Sequence, residues 1–470
     1  MTPSNLAIAV TLTSIATSGG ISAQMGTRLE LTECPFAQEP WVASVKAECH
    51  WLLVPQDRNR DTVASVRLFV VVLRADRAGG KPPLVLLHGG PGVSALVPMA
   101  RWARGQGPLE RDFVIYDQRG AGLSEPDPCP QYASRLGDQA ASEALGSTGR
   151  GILQAVAREC VASMQARGID PAAYSTVANV ADLVDLRLAL GYDRWDIYGL
   201  SYGARLAQEA MRRDPHGIRA VVLDKPVPPG AEGAVAPLAT QRALERVFAA
   251  CDRNAACHAA FPAPDQTFIE VFETLSQAPL AAGRASRRIE LDGEGFVIAV
   301  RRLLRSREGI TSLPLLLHEL RHGDQVRAAR ELLRLAGAGG GDAGRATLWL
   351  VQCYDQYGPA YTARLDTVRS MVWRPLQALD NRQECPMWQT RFAAADENAP
   401  VASDIPTLVM TGEFDAATPI EFGRRIASTL SRPTCSNSRV RRTAGARWGV
   451  GPRSWRSFLR ILNANLTPRA

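Results

Sequence analysis

The sequence predicts an α/β fold, a mostly parallel sheet flanked by helices and interrupted once by a long helical insertion. Three observations predict it. Short apolar runs rich in β-branched residues alternate with stretches of helical periodicity through the first half of the chain. From about Pro226 to Pro400 strand-like runs almost vanish and amphipathic helical stretches dominate, and the sheet pattern resumes at Ile405. The pentapeptide Gly199–Gly203 reads G-x-S-x-G and falls between a strand and a helix.

The elements follow in chain order. Leu6–Ala16 is an apolar run, and Ile21-Ser22-Ala23 ends the small-residue stretch after it, the pattern of a signal peptide cleaved near Ala23, although no Lys or Arg precedes the run. Residues 1–23 are therefore expected to be an export leader. Arg67–Ala75, Pro83–Leu87, Asp112–Asp117, Trp195–Leu200, Arg219–Leu223 and Thr407–Thr411 read as buried strands, four to nine residues long. Ala178–Gly191 has apolar residues at helical spacing, with Gly191 placed as a C-terminal capping glycine. The expected core is thus 42–225 plus 402–470, and 226–401 is expected to form a helical cap. Ala336–Gly344, AGAGGGDAG, is a low-complexity loop within it.

Composition narrows the function classes. In 470 residues, 46% are apolar and 21% charged, the balance of a globular chain. A net charge of +7 spread over this length, with Arg far outnumbering Lys, does not mark a nucleic-acid binder. No run is long and apolar enough for a membrane-spanning helix. Nine cysteines suit an oxidising compartment, and the expected location is secreted or periplasmic. Local spacing permits the pairs Cys34–Cys49, Cys129–Cys160, Cys251–Cys257 and Cys353–Cys385, leaving Cys435 odd, but spacing does not fix connectivity.

The chemistry falls at strand ends. Ser201, between the strand Trp195–Leu200 and the helical run Ala204–Met211, is the candidate nucleophile, presented on a turn so tight that its flanking residues must be glycine. His88-Gly89-Gly90-Pro91-Gly92 follows another strand, and the N–H groups of Gly90 and Tyr202 are candidate oxyanion donors. Asp117–Gly122, DQRGAG, is a third such turn, whose charged pair is expected to hold the loop. Asp415, after the strand at Thr407, is the candidate acid that would orient a catalytic base; its competing role is a helix N-cap. His318-Glu319-Leu320-Arg321-His322 is H-E-x-x-H on an expected helix, a zinc pattern without a convincing third ligand, Glu331 being nearby but no further histidine following.

In this order, HGGPG, DQRGAG, GLSYGA and GEFDAATP resemble the prolyl-aminopeptidase-like branch of the α/β-hydrolases, and most of all its secreted tripeptidyl-aminopeptidase group. The resemblance covers nearly the whole chain after the leader. It implies an α/β-hydrolase fold with an inserted helical cap, no cofactor and no metal, and a small substrate, a short peptide with a free N-terminus or an ester. It also implies that the acid of a C-x-[DE] pattern, here Asp355 after Cys353, binds the substrate amine, with Cys385-Pro386-Met387-Trp388 as the matching downstream C-x-x-W. One departure stands against it. Where the family places its catalytic histidine, this chain reads Ala444-Gly445-Ala446-Arg447-Trp448-Gly449, and its six histidines all lie at or before His322. Arginine stays protonated and cannot act as the base. Three explanations stand side by side: a ligand-binding relative without turnover, an enzyme with an unusual base, or a shifted reading frame, whose Arg- and Pro-rich signature the segment from Arg439 carries. The reading is a serine hydrolase of peptides or esters; its alternatives are an inactive binding protein of the same fold and, lower, a zinc hydrolase through His318, Glu319 and His322.

Overall fold

Strands apolar on both faces need cover on both sides, and here the helices provide it. The computed structural model describes residues 27–36, 46–58, 64–76, 80–96, 110–132, 147–231, 235–284, 287–337, 346–356, 372–373 and 385–438. The described chain opens with β1 (Arg28–Thr32), β2 (Lys46–Pro55), β3 (Ser65–Arg74), β4 (Leu84–Leu87) and β5 (Phe113–Tyr116). Helices α1 (Ser147–Ala166) and α2 (Thr176–Ala189), strand β6 (Trp195–Leu200), helix α3 (Tyr202–Arg213) and strand β7 (Ile218–Asp224) follow. Next come α4 (Val235–Asp252), α5 (Ala255–Ala260), α6 (Pro264–Gln277), β8 (Leu280–Arg284), β9 (Arg287–Leu291), α7 (Gly293–Leu303), α8 (Arg307–His322), α9 (Gln325–Gly337), α10 (Ala346–Gln356) and α11 (Cys385–Trp388). The sheet then resumes with β10 (Thr407–Gly412), α12 (Ile420–Ala427) and β11 (Pro433–Ser438).

The main sheet runs β1-β2-β3-β5-β4-β6-β7-β10-β11. β1, β2 and β3 pair antiparallel, as do β3 and β5; every pairing from β5 onward is parallel. Each of the six expected strands is present, within two residues at most ends. β4 and β5 are buried at all four positions. Connection direction reverses at β4, so the carboxyl ends of β4 and β6 flank a crevice of the kind where open α/β sheets bind ligands.

Helix α2 shows why the sequence folds as it does locally. The Ser175 hydroxyl caps it by accepting from the Ala178 N–H at 3.1 Å. Gly191, at φ +73°, takes the left-handed turn just past its end. Apolar Leu183 and Leu186 on α2 and Leu206 and Met211 on α3 pack on Val85, Leu87 and Ile197 of the sheet. The opposite face of the sheet buries Phe69, Leu86, Ile115 and Val222. The segment between β7 and β10 holds a separate cluster around Phe268, Phe296, Val300, Leu317 and Leu332, into which Ala416 of the β10–α12 loop inserts.

Four strand groups carried no clear signal, the first being the short outer strand β1, which mixes charged and apolar residues. β2 is half-buried with alternating cover and breaks its apolar run with Glu48 and His50. β11 is a polar edge strand led by a proline, where no ladder donor is needed. The β8–β9 hairpin puts two strands where the sequence reads as nearly all helix.

Four disulfides join the pairs that the spacing permitted, and Cys435 in β11 is free and exposed. Among the described residues no helix is long and apolar enough to cross a membrane. The leader-like segment at residues 1–23, most of the AGAGGGDAG loop, and Ala444–Gly449 lie outside the described residues.

Candidate active site

Ser201 occupies the single-residue turn between β6 and α3, at φ 55° and ψ −116°. A serine in this region costs on the order of 1–3 kcal/mol and persists only where its surroundings enforce it. They do so through two glycines. A Cβ on Gly199 would lie 2.5 Å from the Gly203 carbonyl oxygen, and one on Gly203 would lie 1.9 Å from that of Leu87 in β4. The helix therefore sits directly on the neighbouring strand. The Ser201 N–H donates to the Asp224 carbonyl at 2.9 Å, fixing the turn to the end of β7.

The HGGPG turn follows β4 and presses against the serine. A Cβ on Gly89 would meet Ser201 Cβ at 2.8 Å and Oγ at 3.3 Å. Gly90, at φ +115°, lines the same cavity as Ser201 and Tyr202. Tyr202 is the first residue of α3, so its N–H has no carbonyl partner within the helix. Gln118 of the DQRGAG turn donates to the His88 carbonyl at 3.0 Å and holds the HGGPG turn from behind.

The two charges of DQRGAG act separately rather than as a pair. Asp117 Oδ1 accepts from Ala95 N and Oδ2 from Leu123 N, which ties the turn together. Arg119, fully buried, donates instead to both oxygens of Asp182 in α2 and to the carbonyls of Pro55, Gln56 and Ala173.

Asp415 follows β10. Its Oδ1 accepts from the N–H groups of Ala417 and Thr418 at 2.9 and 2.8 Å, closing the turn before α12, whose N-cap is Pro419. Its Oδ2 is left for a cation, and Lys225 Nζ lies 3.9 Å from it. Lys225 directly follows β7, which lies between β6 and β10 in the sheet.

Asp355, near the end of α10, enters the same cavity as Ser201, Tyr202 and Gly90. Helix α10 is seated on the DQRGAG turn, where Thr347 Oγ1 donates to the Gly120 carbonyl at 2.7 Å, and it is tied to α11 by the Cys353–Cys385 bond. Asp355 Oδ2 accepts from Thr176 Oγ1 at 2.5 Å and lies 4.0 Å from Arg205 Nε. Oδ1 is buried with no hydrogen-bond partner. Burial pushes this carboxyl above the usual carboxylate range, against the pull of Arg205 and Thr176. Val227, Pro228 and Gly230 form the facing wall.

The structure thus brings Ser201, Tyr202, Gly90 and Asp355 to one cavity, and puts Asp415 after β10, two strands along the sheet from Ser201. Sequence reasoning missed Thr176, Arg205 and Lys225; none sits in a recognisable motif. Burial pushes the His88 imidazole below its usual pKa, and its buried Nδ1 has no hydrogen-bond partner. The other described histidines are remote: His50 in β2, His216 before β7 at the far sheet edge, and His258, His318 and His322 in helices of the β7–β10 segment. The His318 and His322 rings lie 5.2 Å apart, but Glu319 is taken by Arg327 and Glu331 by Arg334. No group of three or more metal-ligating side chains occurs among the described residues.

Comparison with known proteins agrees with this architecture. Residues 82–266 match the family model described as alpha/beta hydrolase fold, and the chain has the α/β-hydrolase fold. Residues 371–443 match the model described as TAP-like protein, a match that ends just before Ala444. Its relatives are peptidases by name. The chain is 27% identical to "Serine protease Hip1" of Mycobacterium tuberculosis over 50% of this chain and 47% of that one. It is 29% identical to the "Tripeptidyl aminopeptidase" of Streptomyces lividans, over 40% of this chain and 37% of that one. A "Proline iminopeptidase" of Xylella fastidiosa is 28% identical over 30% and 31%. The chain spans about half the length, or less, of these curated relatives.

Proposed function

We propose that this protein is an exported serine hydrolase that acts on short peptides with an unblocked N-terminus, Ser201 attacking the carbonyl carbon to form an acyl-enzyme that water then releases. The observation that carries the reading is one cavity holding a strained serine at a helix N-terminus and a buried carboxylate with one free oxygen. A free carboxylate oxygen in a half-apolar site is costly unless a cation meets it, and a peptide ammonium is such a cation. In this reading the N–H groups of Gly90 and Tyr202 receive the developing oxyanion, and Asp415 holds a cationic partner on Oδ2. The β7–β10 helices cap the cavity and set the length of peptide admitted. Four disulfides support an oxidising compartment.

A second reading has its own observation: the chain has no histidine beyond His322. Here the same cavity binds peptides, and turnover falls to the small residue that oxyanion donors and binding alone sustain. Hydrolysis of a tripeptide anilide and of its N-acetyl form tests both. The first reading predicts turnover of the free-amine substrate well above that of the blocked one, abolished in Ser201→Ala. Equal rates on both substrates contradict the amine anchor, and tight binding with no turnover selects the second reading. In that case Arg447→His is expected to raise turnover at least about tenfold, since a positioned base contributes roughly two orders of magnitude or more.

A further inference from the structure

The two oxygens of Asp355 have different surroundings. Oδ2 accepts from Thr176 Oγ1, whose own oxygen lies 2.9 Å from the Tyr202 hydroxyl. A threonine hydroxyl has one proton. With that proton on the Asp355 carboxylate, the Tyr202 hydroxyl must be the donor to Thr176. The order of the chain is thus Tyr202 to Thr176 to Asp355, all three residues buried. Thr176 itself is fixed as the first residue of α2, behind the Ser175 cap.

We propose that Thr176 is a specificity-determining residue of this cavity: its hydroxyl binds one oxygen of Asp355 to the Tyr202 side chain, so that only Oδ1 is offered, and offered to the ammonium of an unblocked peptide. The inference rests on the reading of Asp355 as the amine anchor. It also links the two ends of the site. Tyr202, whose side chain starts the relay, is the residue whose backbone N–H faces the candidate oxyanion position. An ammonium on Oδ1 and a carbonyl at Ser201 are then positioned by one hydrogen-bonded unit.

The charged groups around Asp355 sharpen the expectation. Arg205 on α3 and the Thr176 hydroxyl favour the ionised carboxylate; Glu209 on α3 and Glu397 beyond α11 oppose it. Arg205 is already engaged, with Glu209 Oε2 at 3.3 Å and the Glu397 carbonyl at 2.8 Å. Losing the Thr176 hydroxyl therefore leaves Asp355 harder to ionise, and the pH below which an ammonium is no longer held moves upward.

The test uses the full chain carrying Ser201→Ala, titrated calorimetrically with trialanine and with N-acetyl-trialanine across a pH series. Thr176→Val, Thr176→Ser and Asp355→Asn are compared in that background. Thr176→Val is expected to weaken trialanine binding roughly tenfold, the order for a lost hydrogen bond to a charged group. It is also expected to raise the pH midpoint of binding, while N-acetyl-trialanine binds as before and Thr176→Ser restores both. The unchanged affinity for the blocked peptide shows that the cavity is intact. Trialanine binding at full strength and unshifted midpoint in Thr176→Val overturns the inference, as does failure of Thr176→Ser to rescue. If the parent protein binds both peptides equally, the amine-anchor reading itself falls, and Asp355→Asn, then without effect, identifies that case.

Discussion

Ser201 and Asp355 are each held in a state that folding alone does not favour, the first by backbone strain and the second by burial. Asp355 makes the cost testable. Its carboxyl pKa is raised in the folded state, so its contribution to stability is fully present below the unfolded carboxylate pKa and is lost as pH rises through the folded value. Above the unfolded carboxylate pKa the raised folded value therefore opposes folding. Asp355→Asn is therefore expected to raise Tm at pH 7 and to leave it nearly unchanged at pH 3, when followed by thermal denaturation, while abolishing preference for a free-amine peptide. A lower Tm at pH 7 would mean that Arg205 and Thr176 more than offset the burial. If Asp355 is the amine anchor, ammonium binding is expected to run the opposite way, rising with pH as Asp355 ionises. The sequence pointed to Ser201 and Asp355 because each sits in a short motif. Thr176 and Arg205 were not legible: their roles arise from meeting Asp355 across 179 and 150 positions of chain, which no local pattern encodes.

Elements were legible where burial was two-sided. β4, β5 and β6 are apolar runs because both sheet faces are covered, and α2 shows both its cap and its terminal glycine. β2 and β11 were not, since one is half-exposed and the other a polar edge. The G-x-S-x-G glycines belong to this scale, because what they permit is contact between elements. With the Leu87 carbonyl 1.9 Å from where a Cβ would stand, Gly203→Ala must push α3 off β4. A loss of about 1–3 kcal/mol, towards the upper end, is expected on the scale of overpacked cores, read as a lower denaturant midpoint. A Gly203→Ala protein of unchanged midpoint and unchanged activity would show that the elbow is not so tight. Helix α10 illustrates the reverse dependence. It lies inside the β7–β10 segment, far in sequence from the first half of the sheet, yet Thr347 seats it on the DQRGAG turn and the Cys353–Cys385 bond ties it to α11. Breaking that bond with Cys353→Ser and Cys385→Ser is expected to cost about 2–4 kcal/mol and to loosen Asp355, seen as weaker trialanine binding.

At the scale of the whole molecule, the α/β sheet delivers Ser201, the HGGPG turn and Asp415 to the carboxyl ends of its strands, and α10 brings Asp355 to the cavity that Ser201 lines. The fold class was legible because alternating strand and helix signals have few topological solutions. The β8–β9 hairpin was not, its short strands being rich in Ala, Gly and Arg. The proposed function rests on Ser201 as a nucleophile in a chain with no histidine beyond His322, and the reactivity of Ser201 is the property on which it turns. The most direct measurement is labelling of the purified, folded protein with a fluorophosphonate, located by mass spectrometry, with Ser201→Ala as control. The account predicts a single adduct on Ser201, absent in the control and suppressed by trialanine. A folded protein that takes up no label at Ser201, or takes it up equally in the control, would contradict the assignment of Ser201 as the nucleophile.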